Sequence, residues 1–321
     1  MRALEHAGPP GAVAAAPSAW DFFADRAFRA LAKAGAYLML LLLAFILWQI
    51  GRKAWPGMRD YGAGFLTSTT WDVGRGQFGI LPAIWGTLYS SFLALVIGGF
   101  FGVVMAIFLT QDFLPPRLAV VFRTTVELLA AIPSVVYGLW GIFFVVPVIR
   151  PAADWLYTHL GRIPFFGSTL SGPGLLPASL VLAIMILPTV AAVSQDALRQ
   201  VPYRTKEAAY GMGATRWEAI LKVMLPTAST GIFGALVLGF GRALGETMAL
   251  AMLIGNSNQL SLSLFSPANT LAALLALNFP EAGPREVAVL MYAALVLLAI
   301  TLLVNVAGGA IMAMAGRKAG K

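Results

Sequence analysis

Six long apolar stretches dominate this sequence, and they decide what the chain can fold into. Each has roughly the 20 residues that an α-helix needs to cross a bilayer, and together they contain only three charged residues. The stretches are residues 34–50, 84–109, 125–149, 175–193, 228–254 and 287–314. Only 11% of the chain is charged and 59% is hydrophobic, whereas about 25% of the residues in a soluble domain are charged. The sequence therefore predicts an all-α, polytopic membrane helix bundle with six transmembrane helices.

The first 32 residues precede these stretches and are expected to form a separate region. Residues 1–18 are rich in Ala, Pro and Gly, which predicts disorder. In residues 20–32, apolar side chains such as Trp20 and Phe23 recur at helical spacing among charged ones, which favours an amphipathic helix at the membrane interface. A cleaved signal peptide fits less well, because the following apolar run is too long. Residues 33–321 then form the six-span membrane domain.

Lysine and arginine residues in the connecting segments predict the orientation. With the N-terminus inside, the inner segments hold 14 of these residues and the outer loops hold 7, so both termini are predicted to be cytoplasmic. The same distribution accounts for the net charge of +8, since no contiguous basic patch suggests nucleic acid. The chain has no cysteine, which excludes disulfides and cysteine metal sites. No metal or cofactor is expected in this chain.

The inner loop 195–226 carries local signals for two short helices outside the membrane. Pro202 suits the first position of a helix, where its missing N–H costs nothing. A glycine pair that ends with Gly213 supplies the permissive backbone needed to terminate that helix. Thr215 and Glu218 form a capping box for a second helix. The loop is therefore predicted to form a cytoplasmic helix-turn-helix.

Several residues of this loop resemble the EAA loop of ABC importer permeases. The matching residues are Glu207, Ala208, Ala209, Gly213, Leu225 and Pro226. Val223 stands where that family usually has isoleucine. In that family the loop forms a coupling helix, which sits in a groove of the ATP-binding subunit and passes its closure to the membrane helices. The resemblance therefore implies that the six matching residues couple this chain to an ATPase, and Pro226 is expected to open the fifth span.

Four longer stretches resemble the phosphate permease subunits of the PstC type. They are residues 67–91, 126–143, 241–256 and 260–273, and the last resembles this type more than the related PstA type. The resemblance covers nearly the whole chain and implies the ABC importer type I permease fold in a bacterial cytoplasmic membrane. It also implies four partners: a second permease subunit of the PstA type, a PstB-type ATP-binding dimer holding ATP and magnesium, a PstS-type phosphate-binding protein, and inorganic phosphate itself.

Three charged residues lie inside the predicted spans, where charge is costly and usually functional. Arg242 and Glu246 are four residues apart, so on one helix they would share a face about 6 Å apart along the axis. The planar guanidinium of Arg242 could hold phosphate while Glu246 orients it, but a structural ion pair fits the same spacing. Glu127, at the inner end of the third span, is a further candidate for the pathway, although it could also reach the interface by snorkelling.

Glycine and proline residues inside the spans predict packing contacts and kinks. Gly241 and Gly245 form a small-residue pair, which predicts close packing of the fifth span on another helix. Pro133, Pro147 and Pro188 interrupt three spans and can kink them.

The sequence has no recognised motif for ATP binding or hydrolytic chemistry. The P-loop pattern G-x-x-x-x-G-K-[ST], HExxH and GxSxG are all absent, and the two histidines, His6 and His159, fall outside the predicted spans. The chain is therefore expected to be non-catalytic, with ATP hydrolysis in a partner. An ion-driven secondary transporter would not explain the helix-turn-helix loop. A permease for another oxyanion, such as sulfate or molybdate, stays open because Arg242 would suit any of them.

Overall fold

A computed structural model describes residues 19–111 and 113–319 of the chain. Within these ranges, six helices are long and apolar enough to cross a membrane. They are Phe22–Tyr61, Leu81–Thr110, Ser134–Leu160, Leu175–Arg199, Arg216–Leu244 and Pro284–Met314. The predicted all-α architecture with six spans is therefore confirmed. The disorder expected for residues 1–18 lies outside the described residues and stays a prediction.

The helices and strands follow one another along the chain with short connections. The helices are α1 (Ala19–Tyr61), α2 (Gly64–Thr67), α3 (Leu81–Thr110), α4 (Pro116–Ala131), α5 (Ser134–Trp140), α6 (Val146–Leu160), α7 (Leu175–Arg199), α8 (Tyr203–Gly211), α9 (Arg216–Glu218), α10 (Leu225–Leu244), α11 (Met248–Leu253), α12 (Leu271–Asn278) and α13 (Pro284–Ala319). Two π-helical segments, Gly141–Val145 and Ala219–Met224, join α5 to α6 and α9 to α10. Strands β1 (Trp71–Asp72) and β2 (Gln77–Phe78) form a small antiparallel hairpin.

Helix α1 runs without interruption through residues 20–32, so that segment is not a separate helix. Whether it lies at the membrane interface stays a prediction. The described residues up to Arg52 form one compact unit, and those from Lys53 onward form a second. Apolar side chains of the first unit, such as Leu40 and Phe45, are exposed. In a membrane, such side chains are available to contact lipid or another chain.

Helix α7 buries more of its length than any other span and packs against α3 and α10. Small residues of α3 permit this close approach. A β-carbon on Gly98 would lie 2.5 Å from the carbonyl oxygen of Ala183, and one on Gly102 would lie 2.9 Å from the side chain of Val190. Glycines one turn apart thus allow the two helix backbones to approach closely. Around this contact, the largest buried cluster includes Leu182, Ile186, Leu250 and Leu253.

The third span differs from its predicted bounds of 125–149, because Pro133 ends one helix and precedes another. Pro133 is extended, with ψ of 140°, and the chain becomes helical again at Ser134. A proline disfavours the α conformation of the residue before it, which ends α4. The span therefore begins at Ser134, and Glu127 lies on α4 outside it. The expectation that Glu127 enters the third span is wrong.

The fifth span also differs from its predicted bounds of 228–254, since the helix starts at Arg216 and ends at Leu244. Pro226 lies inside this continuous helix and does not open it. The π-helical segment just before Pro226 explains the continuity. There, the N–H of Leu225 donates to the carbonyl of Ile220, five residues back. The wider turn displaces the carbonyl that a proline ring would otherwise strike.

Pro147 is accommodated in the same way as Pro226, and Pro188 lies in a helix that continues past it. Pro147 follows the π-helical segment Gly141–Val145, in which the N–H of Val146 donates to the carbonyl of Gly141. Pro188 is accommodated within α7, which continues past it to Arg199. Of the three prolines, only Pro133 divides a predicted span.

Candidate coupling helix and translocation pathway

The loop between the fourth and fifth spans forms α8 and a tight turn. The turn depends on Gly213, whose φ is +83°, in the left-handed region that glycine tolerates best. The N–H of Gly213 donates to the carbonyl of Tyr210 at 2.9 Å, and the N–H of Ala214 donates to the carbonyl of Ala209 at 3.1 Å. This pair of hydrogen bonds is a Schellman motif, which satisfies carbonyls left open at a helix end. The predicted helix end at the glycine pair is confirmed.

The capping box predicted after this turn is also present. The N–H of Glu218 donates to Oγ1 of Thr215 at 3.3 Å, and the N–H of Thr215 donates to Oε2 of Glu218 at 3.0 Å. Lys222 extends the network by donating to Oε1 of Glu218 at 3.0 Å. The helix that starts here is not a separate short helix, however. It continues through α9 and the π-helical segment into α10, so a movement of this end can be carried directly into the fifth span.

The two alanines of the EAA-like motif have different environments. Ala209 is buried, with 3% of its surface exposed, and α8 packs against the π-helical segment Ala219–Met224. Ala208 and Glu207 are exposed. The small side chain of the buried Ala209 is therefore suited to close packing of α8, while Ala208 and Glu207 remain accessible to another protein.

The last two residues implied in coupling lie further along the same helix. Leu225 is half-buried and packs against a cluster that includes Ala106 and Leu198, whereas Pro226 is exposed. Leu225 therefore connects this region to α3 and α7.

A pocket of about 290 Å³ lies beside α8 and was not expected from the sequence. Its lining residues are Gln111, Tyr203, Lys206, Glu207, Tyr210 and Arg216. Arg216 stacks over the ring of Phe113 at 4.1 Å, so the segment after α3 contacts the start of the fifth helix. Of these lining residues, Glu207 is the one that belongs to the EAA-like motif, and Gln111 joins the others only through tertiary packing.

The expected pair between Arg242 and Glu246 is not formed. Helix α10 ends at Leu244 with Gly245 as its C-cap, so the two residues do not share a continuous helical face. No ion pair joins them among the described residues. Instead, Oε1 of Glu246 accepts from the N–H of Ala249 at 3.4 Å, near the start of α11. A carboxylate is stabilised there by the free N–H groups of the first helical turn.

The glycine pair beside these residues also has two separate roles. A β-carbon on Gly241 would lie 3.1 Å from Oδ1 of Asn305, so this position faces α13 as expected for close packing. Gly245 instead terminates α10. The predicted packing role is therefore confirmed for Gly241, while a β-carbon on Gly245 would meet no other helix among the described residues and its packing on a partner subunit stays a prediction.

Arg242 instead contacts the middle of α7. Its Nη1 donates to Oγ1 of Thr189 at 3.4 Å, and the arginine side chain is exposed. Thr189 also lines a pocket of about 370 Å³ between α4 and α7. The polar residues of this pocket are Arg123, Glu127, Thr189, Gln195, Asp196 and Arg199. Thr189, which Arg242 contacts, thus lines the same pocket as the predicted pathway residue Glu127, while Glu246 belongs to the helix break.

Most residues of this pocket, the α4–α7 pocket, carry no functional signal in the sequence. Arg123 lies four residues before Glu127 on the same helix, a spacing that places both on one face. That spacing was the one available signal. Thr189 is an ordinary polar residue in an apolar helix, and only its contact with Arg242 distinguishes it.

Comparison with known proteins identifies related sequences over most of the chain. Residues 98–320 match the family described as binding-protein-dependent transport system inner membrane component. The chain is 43% identical over 277 residues to the phosphate transport system permease protein PstC of Haemophilus influenzae, covering 84% of this chain and 87% of that protein. It is 39% identical over 286 residues to the protein of the same name from Mesorhizobium japonicum, covering 87% of each. It is also 34% identical over 289 residues to a probable PstC of Methanocaldococcus jannaschii, covering 88% of this chain and 91% of that protein.

Solved structures support the same fold at low sequence identity. A bacterial alginate ABC transporter, in complex with alginate pentasaccharide-bound periplasmic protein, has a chain with a TM-score of 0.57 and 19% identity, covering 87% of this chain and 96% of its own. The inward-facing methionine ABC transporter MetNI gives a TM-score of 0.54 and 19% identity, covering 74% of this chain and 95% of its own. These likenesses confirm the ABC importer permease fold. The family match and the similar relatives show that this multi-pass chain belongs to the family of binding-protein-dependent transport system inner membrane components.

Proposed function

We propose that this chain is a transmembrane permease subunit of an ATP-driven phosphate importer and forms half of its translocation pathway. The observation that carries this proposal is the 43% identity, over 84% of the chain, with a relative named as a phosphate transport system permease. The α8 region supports it independently, because a short helix outside the apolar stretches, followed by a tight turn and a capping box, suits a subunit that receives movement from another protein.

The partners follow from this assignment. A binding-protein-dependent family implies a substrate-binding protein, which we identify as a phosphate-binding protein of the PstS type. A second permease subunit of the PstA type completes the pathway. A PstB-type dimer supplies the energy, and ATP with magnesium binds there, since this chain has no P-loop motif. This chain itself is non-catalytic.

Coupling is assigned to Glu207, Ala208, Ala209, Gly213, Leu225 and Pro226. The exposed Glu207 and Ala208 contact the ATPase, whereas the buried Ala209 holds α8 against the fifth span. The Gly213 turn fixes the angle between α8 and the capped helix that follows. Closure of the ATPase therefore moves α8 and α10 together, because no flexible connection separates the capping box from the span.

Substrate passage is assigned to Arg242, Glu246 and Glu127. A guanidinium can replace part of the hydration of an oxyanion with two charge-assisted hydrogen bonds. Thr189 orients Arg242 in place of the expected carboxylate. This leaves the positive charge of Arg242 unneutralised by Glu246, which favours an anion over a cation.

Both termini and α8 are placed in the cytoplasm by this proposal. The 14 to 7 distribution of basic residues supports that orientation. Reporter fusions within residues 200–215 and at the C-terminus test it, with a fusion at the β1–β2 turn as the opposite-side control. A cytoplasmic signal from the first two sites is expected. An external signal from residues 200–215 contradicts both the orientation and the coupling role.

Reconstituted transport tests the function itself. The chain is co-expressed with its three partner types, and the complex is placed in ATP-loaded proteoliposomes with the binding protein outside. ATP-dependent uptake of inorganic phosphate is expected, with excess sulfate or molybdate having little effect. A complex with a hydrolysis-deficient ATPase is the matched control. Uptake of sulfate or molybdate in place of phosphate would redirect the substrate while keeping the permease assignment, and ATP-independent uptake would refute that assignment.

A further inference from the structure

We propose that the α4–α7 pocket is a second oxyanion site, occupied after Arg242 and before release on the side that carries α8. The inference rests on the proposed phosphate permease function and adds to it a role for Arg123 and Arg199. Arg123 from α4 and Arg199 from α7 supply the positive charge. At about 370 Å³, the pocket exceeds what a single small oxyanion needs, so the anion can retain part of its water.

The charge of Arg123 is not taken up by any ion pair of the described residues, even though Glu127 is four residues away on the same helix. Arg199 is held only loosely, because its Nη1 lies 3.9 Å from Oδ1 of Asp196 and both side chains are substantially exposed. Exposed pairs of that kind contribute little. Both guanidinium groups are therefore available to an incoming anion.

The pocket lies next to Arg242. Thr189 accepts from Arg242 and also lines the pocket, so the two sites share a wall. Arg199 is ten residues further along α7 than Thr189, which is roughly 15 Å on an α-helix. A single small anion therefore cannot contact the residues beside Thr189 and Arg199 at the same time. The chain thus presents two successive arginine-bearing sites beside α7, and the second of them ends next to the turn into α8.

Two acidic residues of the pocket favour release of the bound anion. Glu127 and Asp196 line the same pocket as the two arginines, so the formal charges of these four groups cancel. A transport site must bind strongly enough to accept the anion and weakly enough to lose it. The acidic pair lowers the positive potential without occupying the guanidinium donors. The pocket is therefore suited to brief, weak binding, in contrast to the unneutralised Arg242.

Inhibition by internal phosphate tests this site separately from transport itself. Proteoliposomes are loaded with ATP and increasing inorganic phosphate, and initial uptake of labelled phosphate from the outside is measured. In the wild type, internal phosphate occupies the pocket and slows uptake. The double variant Arg123→Gln with Arg199→Gln should need about tenfold more internal phosphate for half-inhibition, since charge-assisted hydrogen bonds are lost. The conservative Arg123→Lys with Arg199→Lys should retain most of the inhibition.

Two controls separate the outcomes. Arg117→Gln removes the same charge from an exposed position of α4 that does not line the pocket, and it should behave as the wild type. Arg242→Gln should lose uptake altogether, which tests the proposed function. If Arg242→Gln behaves so but the double glutamine variant keeps the wild-type half-inhibitory concentration, only the second site is refuted. A wild type that internal phosphate does not inhibit refutes it as well.

Discussion

Replacing Gly213 with valine should disrupt the turn after α8 and weaken coupling to the ATPase. The φ of +83° at this position is one that side chains rarely adopt, least of all β-branched ones. No heavy atom lies within 4 Å of the position that a β-carbon would take. The cost is therefore backbone strain without any collision, about 1–2 kcal/mol for an ordinary residue, and valine belongs at the upper end or above it.

A free-energy cost of that size changes the equilibrium constant between the closed and the opened turn by about 5- to 30-fold. The amides that close the Schellman motif, those of residues 213 and 214, should exchange with deuterium faster by a similar factor. Hydrogen exchange with mass spectrometry on the assembled complex measures this directly. The complex should still insert and assemble, while transport-linked ATP hydrolysis falls.

Gly211 offers a matched control two residues earlier. It is the last residue of α8, has an ordinary helical backbone, and likewise has open space where a β-carbon would lie. Gly211→Ala should therefore be neutral or stabilise α8 by about 0.5–1 kcal/mol. Gly213→Asn should be milder than valine, because asparagine tolerates the left-handed region. Equal exchange and equal ATP hydrolysis in Gly213→Val and Gly211→Ala would refute the reasoning.

Three further predictions concern the pathway and the packing of α8. Arg242→Gln should abolish phosphate uptake with assembly intact, and Arg242→Lys should restore only part of it because the planar fork is lost; near-normal uptake by Arg242→Met with Glu246→Leu would contradict a substrate role. Thr189→Val keeps the side-chain shape but removes the hydroxyl that accepts from Arg242, so uptake should fall several-fold, and an unchanged rate would show that the contact is dispensable. Ala209→Leu should cost about 1–3 kcal/mol by overpacking α8 against the fifth span, measured as faster amide exchange in α8, whereas Ala208→Leu at the exposed neighbour should leave that exchange unchanged.

Local patterns in the sequence were sufficient where the physics is local. The capping box at Thr215 and Glu218 and the turn at Gly213 involve residues within a few positions of each other, and both were predicted correctly. The same holds for the six spans, because burial in lipid requires a long apolar run whatever the neighbours are. Such features need no knowledge of tertiary contacts.

The errors arose where a helix boundary depended on more than hydropathy. Apolar residues continue across Pro133, so the pattern suggested one span where the backbone makes a break. The reverse occurred at Pro226, where a helix end was expected and a π-helical turn keeps the helix continuous. Hydropathy reports which residues tolerate lipid, and it does not report how the backbone accommodates a missing N–H.

By itself, the sequence determined that this chain has six membrane spans and a connecting loop with a glycine turn and a capping box, because those properties follow from composition and short-range hydrogen bonds. The tertiary structure alone decided the surroundings of the intramembrane charges. Arg242 contacts Thr189, which is 53 residues away in the chain, and Glu246 turns to the start of α11. The grouping of Arg123 and Arg199 in one pocket has the same origin. Contacts between distant segments depend on how α4, α7 and α10 pack, and no local spacing specifies that packing.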